Sequence, residues 1–291
     1  MKKKIFALGF FDGVHLGHQA LLEACCRLAE KRQAMPCVAT FDLPPSAVLQ
    51  KIQPNMINTE SDRAILLRQY GIGPIYTYTA NEEVMSTGWE AFLEQLVEYG
   101  ADGFVCGEDY RFGRGGEGTA EKLADFAARR DIFCVVVPEQ RLDGEKISST
   151  RIRTLLERGE VEAANRLLGH PHRLSGTVVS GQKLGRTIGI PTANLQLPEE
   201  LVTPAFGVYA CTAQVEDKTY VAVTNIGTRP TVDGQNVTVE PWLLDFSGDL
   251  YDKKITLFFH KFLRPEQKFD SLAELKAQIQ KDAARAYKVL K

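Results

Sequence analysis

Ile5-Phe6-Ala7-Leu8-Gly9 runs straight into Phe10-Phe11-Asp12-Gly13-Val14-His15-Leu16-Gly17-His18, and this junction decides how the first half of the chain is read. Residues 5–9 carry no polar side chain, as in a strand covered on both faces. From Gly17 to Arg32 the pattern changes, and Leu21, Leu22, Cys25, Leu28 and Ala29 recur at helical spacing. Gly13 and Gly17 allow a tight turn and close approach of a ligand. His15 and His18 stand three apart at the mouth of the helix, so both face one ligand. The helix start adds unpaired N–H groups and the positive end of a dipole. Two imidazoles beside such amides suit a phosphoryl group that gains charge.

The same alternation continues outward from this junction. Residues 37–41, 75–78, 104–107 and 132–137 read as further strands, and 61–70, 89–99 and 118–130 as helices. Apolar strands separated by helices predict an α/β domain with a parallel sheet, whose ligands bind beyond the C-terminal strand ends. One such end carries Gly107-Glu108-Asp109-Tyr110-Arg111-Phe112-Gly113, either a plain polar loop or a cover for a nucleotide or flat ring. Further on, Ile147-Ser148-Ser149-Thr150-Arg151-Ile152-Arg153 offers hydroxyls before a helix, which serve as N-caps or, with arginine, as phosphate ligands.

After about Pro171 the period changes. Residues 208–215 and 219–223 flank the short polar turn 216–218, a hairpin signal. Residues 237–246 and 255–262 are further β-rich runs. The stretch 271–290 is an amphipathic helix with Leu272, Leu275, Ile279 and Ala283 on one side. This pattern predicts a small antiparallel barrel with a helix packed outside. Residues 149–168 read as helical and bridge the halves. With 291 residues, two domains are expected, at 1–170 and 171–291.

The second half has its own ligand signal between Gly176 and Asn194. Gly181, Gly185 and Gly189 permit unusual backbone angles and exposed amides, and Lys183 and Arg186 supply charge. Thr192 and Asn194 offer the hard oxygen ligands that Mg²⁺ prefers. The spacing is not that of a P-loop. Glu240, in a β-rich run, is either a solvated outward residue or a general base.

Composition narrows the classes. A 44% hydrophobic, 25% charged chain of net charge −2 is globular and gives no steer toward nucleic acid or an anionic membrane. The start MKKKIFALGF mimics a signal peptide, but its apolar run is short and broken at Asp12 and His15. No run approaches the ~20 apolar residues of a membrane span. The six cysteines lack metal-type pairing and read as reduced, buried thiols of a cytoplasmic protein.

These motifs carry a resemblance. H-x-G-H after a strand, with a later I-S-S-T-x-I-R, resembles the adenylyl/cytidylyltransferase superfamily. G-F-F-D-G-V-H-L-G-H-Q together with G-E-D-Y-R-F-G is similar to its FAD synthetase branch. That implies a Rossmann-like nucleotidyltransferase domain that transfers adenylyl from ATP to FMN, releases pyrophosphate, is assisted by Mg²⁺ and forms no covalent intermediate. By the resemblance His15 and His18 hold the ATP phosphates, with Gly9, Phe10 and Gly17 around them. Ser149, Thr150 and Arg153 bind phosphate, and Asp109 lies at the flavin or nucleotide.

The second half resembles the riboflavin kinase family through G-I-P-T-A-N, N-I-G-T-R-P-T, V-E-x-x-L-L-D-F and F-L-R-P-E-x-K-F. That implies a six-stranded antiparallel barrel with a terminal helix, which phosphorylates the ribityl 5′-hydroxyl of riboflavin. Thr192 and Asn194 then bind Mg²⁺–ATP and Glu240 activates the hydroxyl. Gly181, Lys183, Gly185, Arg186 and Gly189 serve the ATP phosphates, and Arg264 borders the flavin. Two departures stand out: Pro44 replaces a family histidine, and Pro241-Trp242 replaces a small residue and a histidine. Alternatives are an active kinase with an impaired adenylyltransferase, or a non-catalytic flavin-binding sensor or carrier. The implied partners are riboflavin, FMN, FAD and ATP, with no nucleic acid and no membrane.

Overall fold

The computed structural model describes residues 2–181, 185, 189–231 and 234–291. They form two compact units. One comprises the chain up to Met56 with Glu60–Ser149; the other comprises Ile57–Thr59 with Thr150–Lys291. Residues 150–170, expected in the first domain, thus group with the second unit.

The first unit runs β1 (Lys4–Leu8), α1 (Leu16–Arg32), β2 (Met35–Phe41), α2 (Pro45–Gln50), α3 (Glu60–Gln69), β3 (Ile75–Tyr78), α4 (Glu82–Met85), α5 (Trp89–Glu98), β4 (Ala101–Gly107), α6 (Ala120–Arg129), β5 (Phe133–Val137) and the hairpin β6–β7 (Arg141–Leu142, Glu145–Lys146). The sheet order is β3-β2-β1-β4-β5, and every pairing is parallel. The apolar run of β1 explains its central place. Ile5 and Ala7 pack on one face with Leu22, Cys25, Val38 and Leu67. Phe6 and Leu8 pack on the other with Leu93, Phe104, Leu123 and Phe126. A strand buried on both sides has no polar face to present. Strand order reverses between β1 and β4, and the loops leaving these two strands flank the crevice where such sheets take ligands. They begin at Gly9 and Glu108.

The second unit contains α7 (Ser149–Glu157, whose first residue belongs to the first unit), α8 (Val161–Leu168), β8 (His172–Val179), β9 (Asn194–Gln196), β10 (Gly207–Val215), β11 (Lys218–Thr231), β12 (Gly234–Leu243), β13 (Lys254–Arg264) and α9 (Leu272–Leu290). Six strands close a barrel in the order β10-β11-β12-β9-β8-β13. Residue patterning missed β8 and β9. The first buries His172, Arg173 and Ser175 and so lacks an apolar alternation; the second is three residues long.

Ser271 caps α9, its Oγ accepting from Glu274 N at 3.2 Å. The apolar face of α9 is divided in use. Ala283 and Ala286 pack against Val208, Ala210, Val223 and Leu263. Leu272, Leu275 and Ile279 instead line a cavity. All six cysteines are free thiols, four buried and two half-buried.

Candidate active sites

The turn from β1 into α1 is held in unusual backbone. Phe11, Gly13 and Val14 have φ of 60°, 78° and 42°. A β-branched residue at positive φ is strained, and such strain persists only where surroundings over-determine it. Here they do. Gln19 Nε2 donates to Val14 O at 2.8 Å, Ser149 Oγ to Asp12 O at 2.9 Å and Thr40 Oγ1 to Phe10 O at 3.1 Å.

The turn delivers the two histidines together. His15 Nδ1 accepts from His18 N at 3.2 Å, capping α1 with its own ring. That bond fixes the neutral tautomer with its proton on Nε2. The His15 and His18 rings stack with centroids 3.6 Å apart and planes 13° from parallel. A Cβ on Gly17 would lie 3.1 Å from the His15 ring, so glycine lets the ring fold back over the helix start. His18 is half-buried, yet its Nδ1 is shut off from solvent with no hydrogen-bond partner among the described residues. Burial holds the His18 pKa well below the ordinary histidine value, and repulsion from His15 and Arg63 adds to this. His18 is therefore neutral at pH 7.

Both histidines line a cavity of about 230 Å³ together with Gly9, Phe10, Gly17 and Ser149. Asp109 lines it too, its carboxylate 2.6 Å from Lys146 Nζ, which also lies 3.0 Å from Glu139. Thr150 and Arg153 belong to the second unit, where Arg153 Nη2 lies 3.3 Å from Thr150 Oγ1.

A second, larger cavity of about 500 Å³ adjoins the first, sharing Gly9, Phe10 and Tyr110. Its wall is mainly apolar and aromatic, drawn from Phe41, Leu49, Tyr78, Met85, Phe92 and Phe112. Pro44 precedes α2, and Pro45, at its first position, also lines this cavity. The Phe10 ring on the shared wall is fixed by Arg63, whose guanidinium lies 4.4 Å from the ring centroid. Arg63 is buried and donates to Phe41 O at 2.5 Å. Arg63, Lys146 and the aromatic cavity escaped the sequence reading. Each gains its place from contacts between distant segments, and no local spacing marks it.

The barrel repeats the arrangement. A cavity of about 200 Å³ is lined by Gly181, Gly185, Thr192, Asn194, Phe246 and Asp249, among others. A second of about 350 Å³ is lined by Glu240, Trp242, Arg264 and the apolar residues of α9. Gly185 and Thr192 border both. The glycines are sterically required. A Cβ on Gly181 would meet the Asn194 amide at 2.1 Å, and one on Gly185 would meet Ile190 O at 2.1 Å. Gly189 has φ of 76° and lines neither cavity. Lys183 and Arg186 lie outside the described residues. Glu240 faces a cavity rather than bulk water, and Trp242, two residues along the same strand, stands on the same side. Among the described residues no group of three or more His, Cys, Asp or Glu side chains is placed to hold a metal ion. A cation at Thr192 and Asn194 would therefore take most of its ligands from a nucleotide's phosphates and from water, as suits Mg²⁺.

A parallel sheet with paired histidines at its switch point, and a separate barrel with a glycine turn, a Thr-x-Asn pair and a carboxylate, define a two-module nucleotide-dependent transferase. Residues 1–151 match the family described as FAD synthetase, and residues 168–290 the family described as riboflavin kinase. A bifunctional riboflavin kinase/FMN adenylyltransferase of Listeria monocytogenes is 38% identical over 283 residues, covering 96% of this chain and 90% of the relative. Its counterpart in Bacillus subtilis is 37% identical over 290 residues, covering 98% and 92%. A crystal structure described as a macrolide-efflux protein from Streptococcus pneumoniae superposes with a TM-score of 0.90 at 32% identity, covering 98% of this chain and 94% of that one. Among the described residues no helix is long and apolar enough to cross a membrane. The chain belongs to the bifunctional riboflavin kinase/FMN adenylyltransferase family.

Proposed function

We propose that the two sites act in series on one flavin, the barrel converting riboflavin to FMN and the α/β unit converting FMN to FAD, each with ATP. One observation carries this reading. In each unit a cavity lined by the candidate phosphate-binding residues adjoins a second cavity whose apolar side chains suit a flat ring. A transfer between two bound molecules needs that adjacency, because holding reactants in line supplies much of the rate.

In the barrel, Glu240 takes the proton of the ribityl 5′-hydroxyl as the hydroxyl oxygen attacks the γ-phosphorus of ATP, the bond from that phosphorus to the β–γ bridging oxygen breaks and ADP leaves. Thr192 and Asn194 hold the nucleotide and its Mg²⁺, which supplies charge neutralisation when bound. In the α/β unit a phosphate oxygen of FMN attacks the α-phosphorus of ATP and pyrophosphate leaves. His15 and His18 orient the phosphates, with Ser149 as a further ligand. Because burial and positive neighbours keep His18 neutral, an arriving triphosphate supplies the negative charge that favours its protonation. The cation then opposes the charge that builds on the leaving group. The cytoplasm, where ATP and reduced thiols coexist, is the proposed location.

The test is chromatography of the purified protein with riboflavin, ATP and Mg²⁺. FMN followed by FAD is expected. FMN alone would favour a kinase whose adenylyl transfer is impaired, a reading motivated by Pro44 in place of the family's histidine, next to Pro45 at the aromatic cavity. Flavin binding without ATP turnover would overturn both.

A further inference from the structure

Helix α9 brings a buried charge to the barrel's apolar cavity. Asp282 is 0% exposed, and the Arg264 side chain 14%. Removing a carboxylate from water is costly unless it is paired and hydrogen-bonded. The adjacent Ala283, with Ala286 one turn on, already seats this part of the helix, so docking alone does not call for an acid.

The pair has a defined geometry. Asp282 Oδ2 accepts from Arg264 Nε at 2.9 Å and lies 2.9 Å from Nη2. Asp282 Oδ1 accepts from Gln278 Nε2 at 3.0 Å, and Arg264 Nη1 donates to Pro265 O at 3.1 Å. A guanidinium has five N–H groups. Three are engaged among the described residues, which leaves one on each terminal nitrogen. Arg264 and Asp282 both line the cavity that Glu240 lines.

We propose that Asp282 is a positioning residue for the kinase reaction: it clamps Arg264 so that the remaining pair of N–H groups binds an oxygen of the flavin substrate. The inference rests on the kinase reading of the barrel. The last helix of the chain thereby sets riboflavin affinity, although no part of Asp282 need touch the substrate. A guanidinium fixed along one edge presents its other donors without further ordering, whereas a free one loses side-chain entropy when it binds.

Asp282→Asn in the full-length protein tests this, because it keeps the size and the Gln278 contact and removes the charge. The riboflavin KM is expected to rise about tenfold while kcat and the ATP KM stay within about twofold. FAD formation from supplied FMN should be unchanged. Arg264→Lys should give a similar rise, and the double variant should be no worse than either single one. A riboflavin KM within about twofold of the parent, with only the melting temperature lowered, would overturn the inference and leave Asp282 a docking residue. Equal loss of affinity for riboflavin and ATP would overturn it too. If Asp282→Asn does not fold, Gln278→Leu removes only the Oδ1 tie; a rise of about threefold in riboflavin KM supports the clamp, and no change overturns it. Failure of the parent protein to phosphorylate riboflavin would remove the kinase reading itself and the inference with it.

Discussion

The α/β site and the barrel site handle the same nucleotide by opposite means. At the end of β1 the backbone is strained at Phe11 and Val14, on either side of Gly13, and the turn brings two imidazoles into a stack. In the barrel, glycines at 181 and 185 make room for the Asn194 amide and the Ile190 carbonyl. In the proposed reading the first site holds the His18 imidazole neutral by burial until a phosphate arrives. The second, in the same reading, presents the neutral oxygens of Thr192 and Asn194 and gives the acid–base work to Glu240. Rigid, pre-stacked rings suit stabilisation of a pyrophosphate leaving group. A carboxylate beside a shared cavity wall suits deprotonation of a hydroxyl.

That contrast can be broken at either end. Glu240→Ala is expected to lower FMN formation by about 10³-fold, within the range for loss of a general base. FAD formation from supplied FMN should stay within about twofold of the parent. Both rates are read by chromatography, and loss of both in a folded variant would mean that the sites are not separate. His15→Ala with His18→Ala is expected to lower FAD formation by about 10²-fold and leave riboflavin phosphorylation intact. Undiminished FAD synthesis would remove the histidines from the chemistry.

A smaller effect separates the histidines of the two units. His172 in β8 is fully buried, and neither ring nitrogen has a hydrogen-bond partner among the described residues. Burial, with repulsion from His170 second, lowers its pKa to about 3. An unfolded chain takes up this proton near pH 6.5, and the folded chain resists it down to about 3. Stability contributed by neutral His172 is thus present above pH 6.5 and lost progressively as pH falls from 6.5 toward 3, by up to about 1.4 kcal/mol per pH unit. Urea titrations across this window should show the decline, and His172→Leu should flatten it. His18 has the same sign of shift, but a bound triphosphate opposes it. ATP should therefore reduce the acid sensitivity due to His18 and leave that of His172 in place. Equal acid sensitivity of the parent and His172→Leu would contradict the assignment.

Much of the first site was legible because its parts are consecutive: strand, turn, histidines and helix occupy residues 5–32 without a break. The same holds for the Gly181–Asn194 stretch. The rest was hidden by distance along the chain. The aromatic cavity draws Phe41, Tyr78, Phe92 and Phe112 from four segments, and each alone reads as ordinary core. Arg63 lies on a helix whose pattern gave no hint that its guanidinium would be buried against Phe10. The terminal helix shows the limit most clearly. Its apolar stripe is real, but Leu272, Leu275 and Ile279 face a cavity while Ala283 is packed. Asp282, beside that stripe, is buried because Arg264, eighteen residues earlier in the chain, is placed against it.

Complementation in one tube tests the separation of the two sites most directly. Neither the Glu240→Ala variant nor the His15→Ala/His18→Ala variant should make appreciable FAD from riboflavin and ATP when incubated alone. Mixed, they are expected to restore FAD formation, with FMN released by one protein and adenylylated by the other. A mixture that yields no more FAD than the sum of the separate reactions, with both proteins folded, would contradict two independent sites working in series.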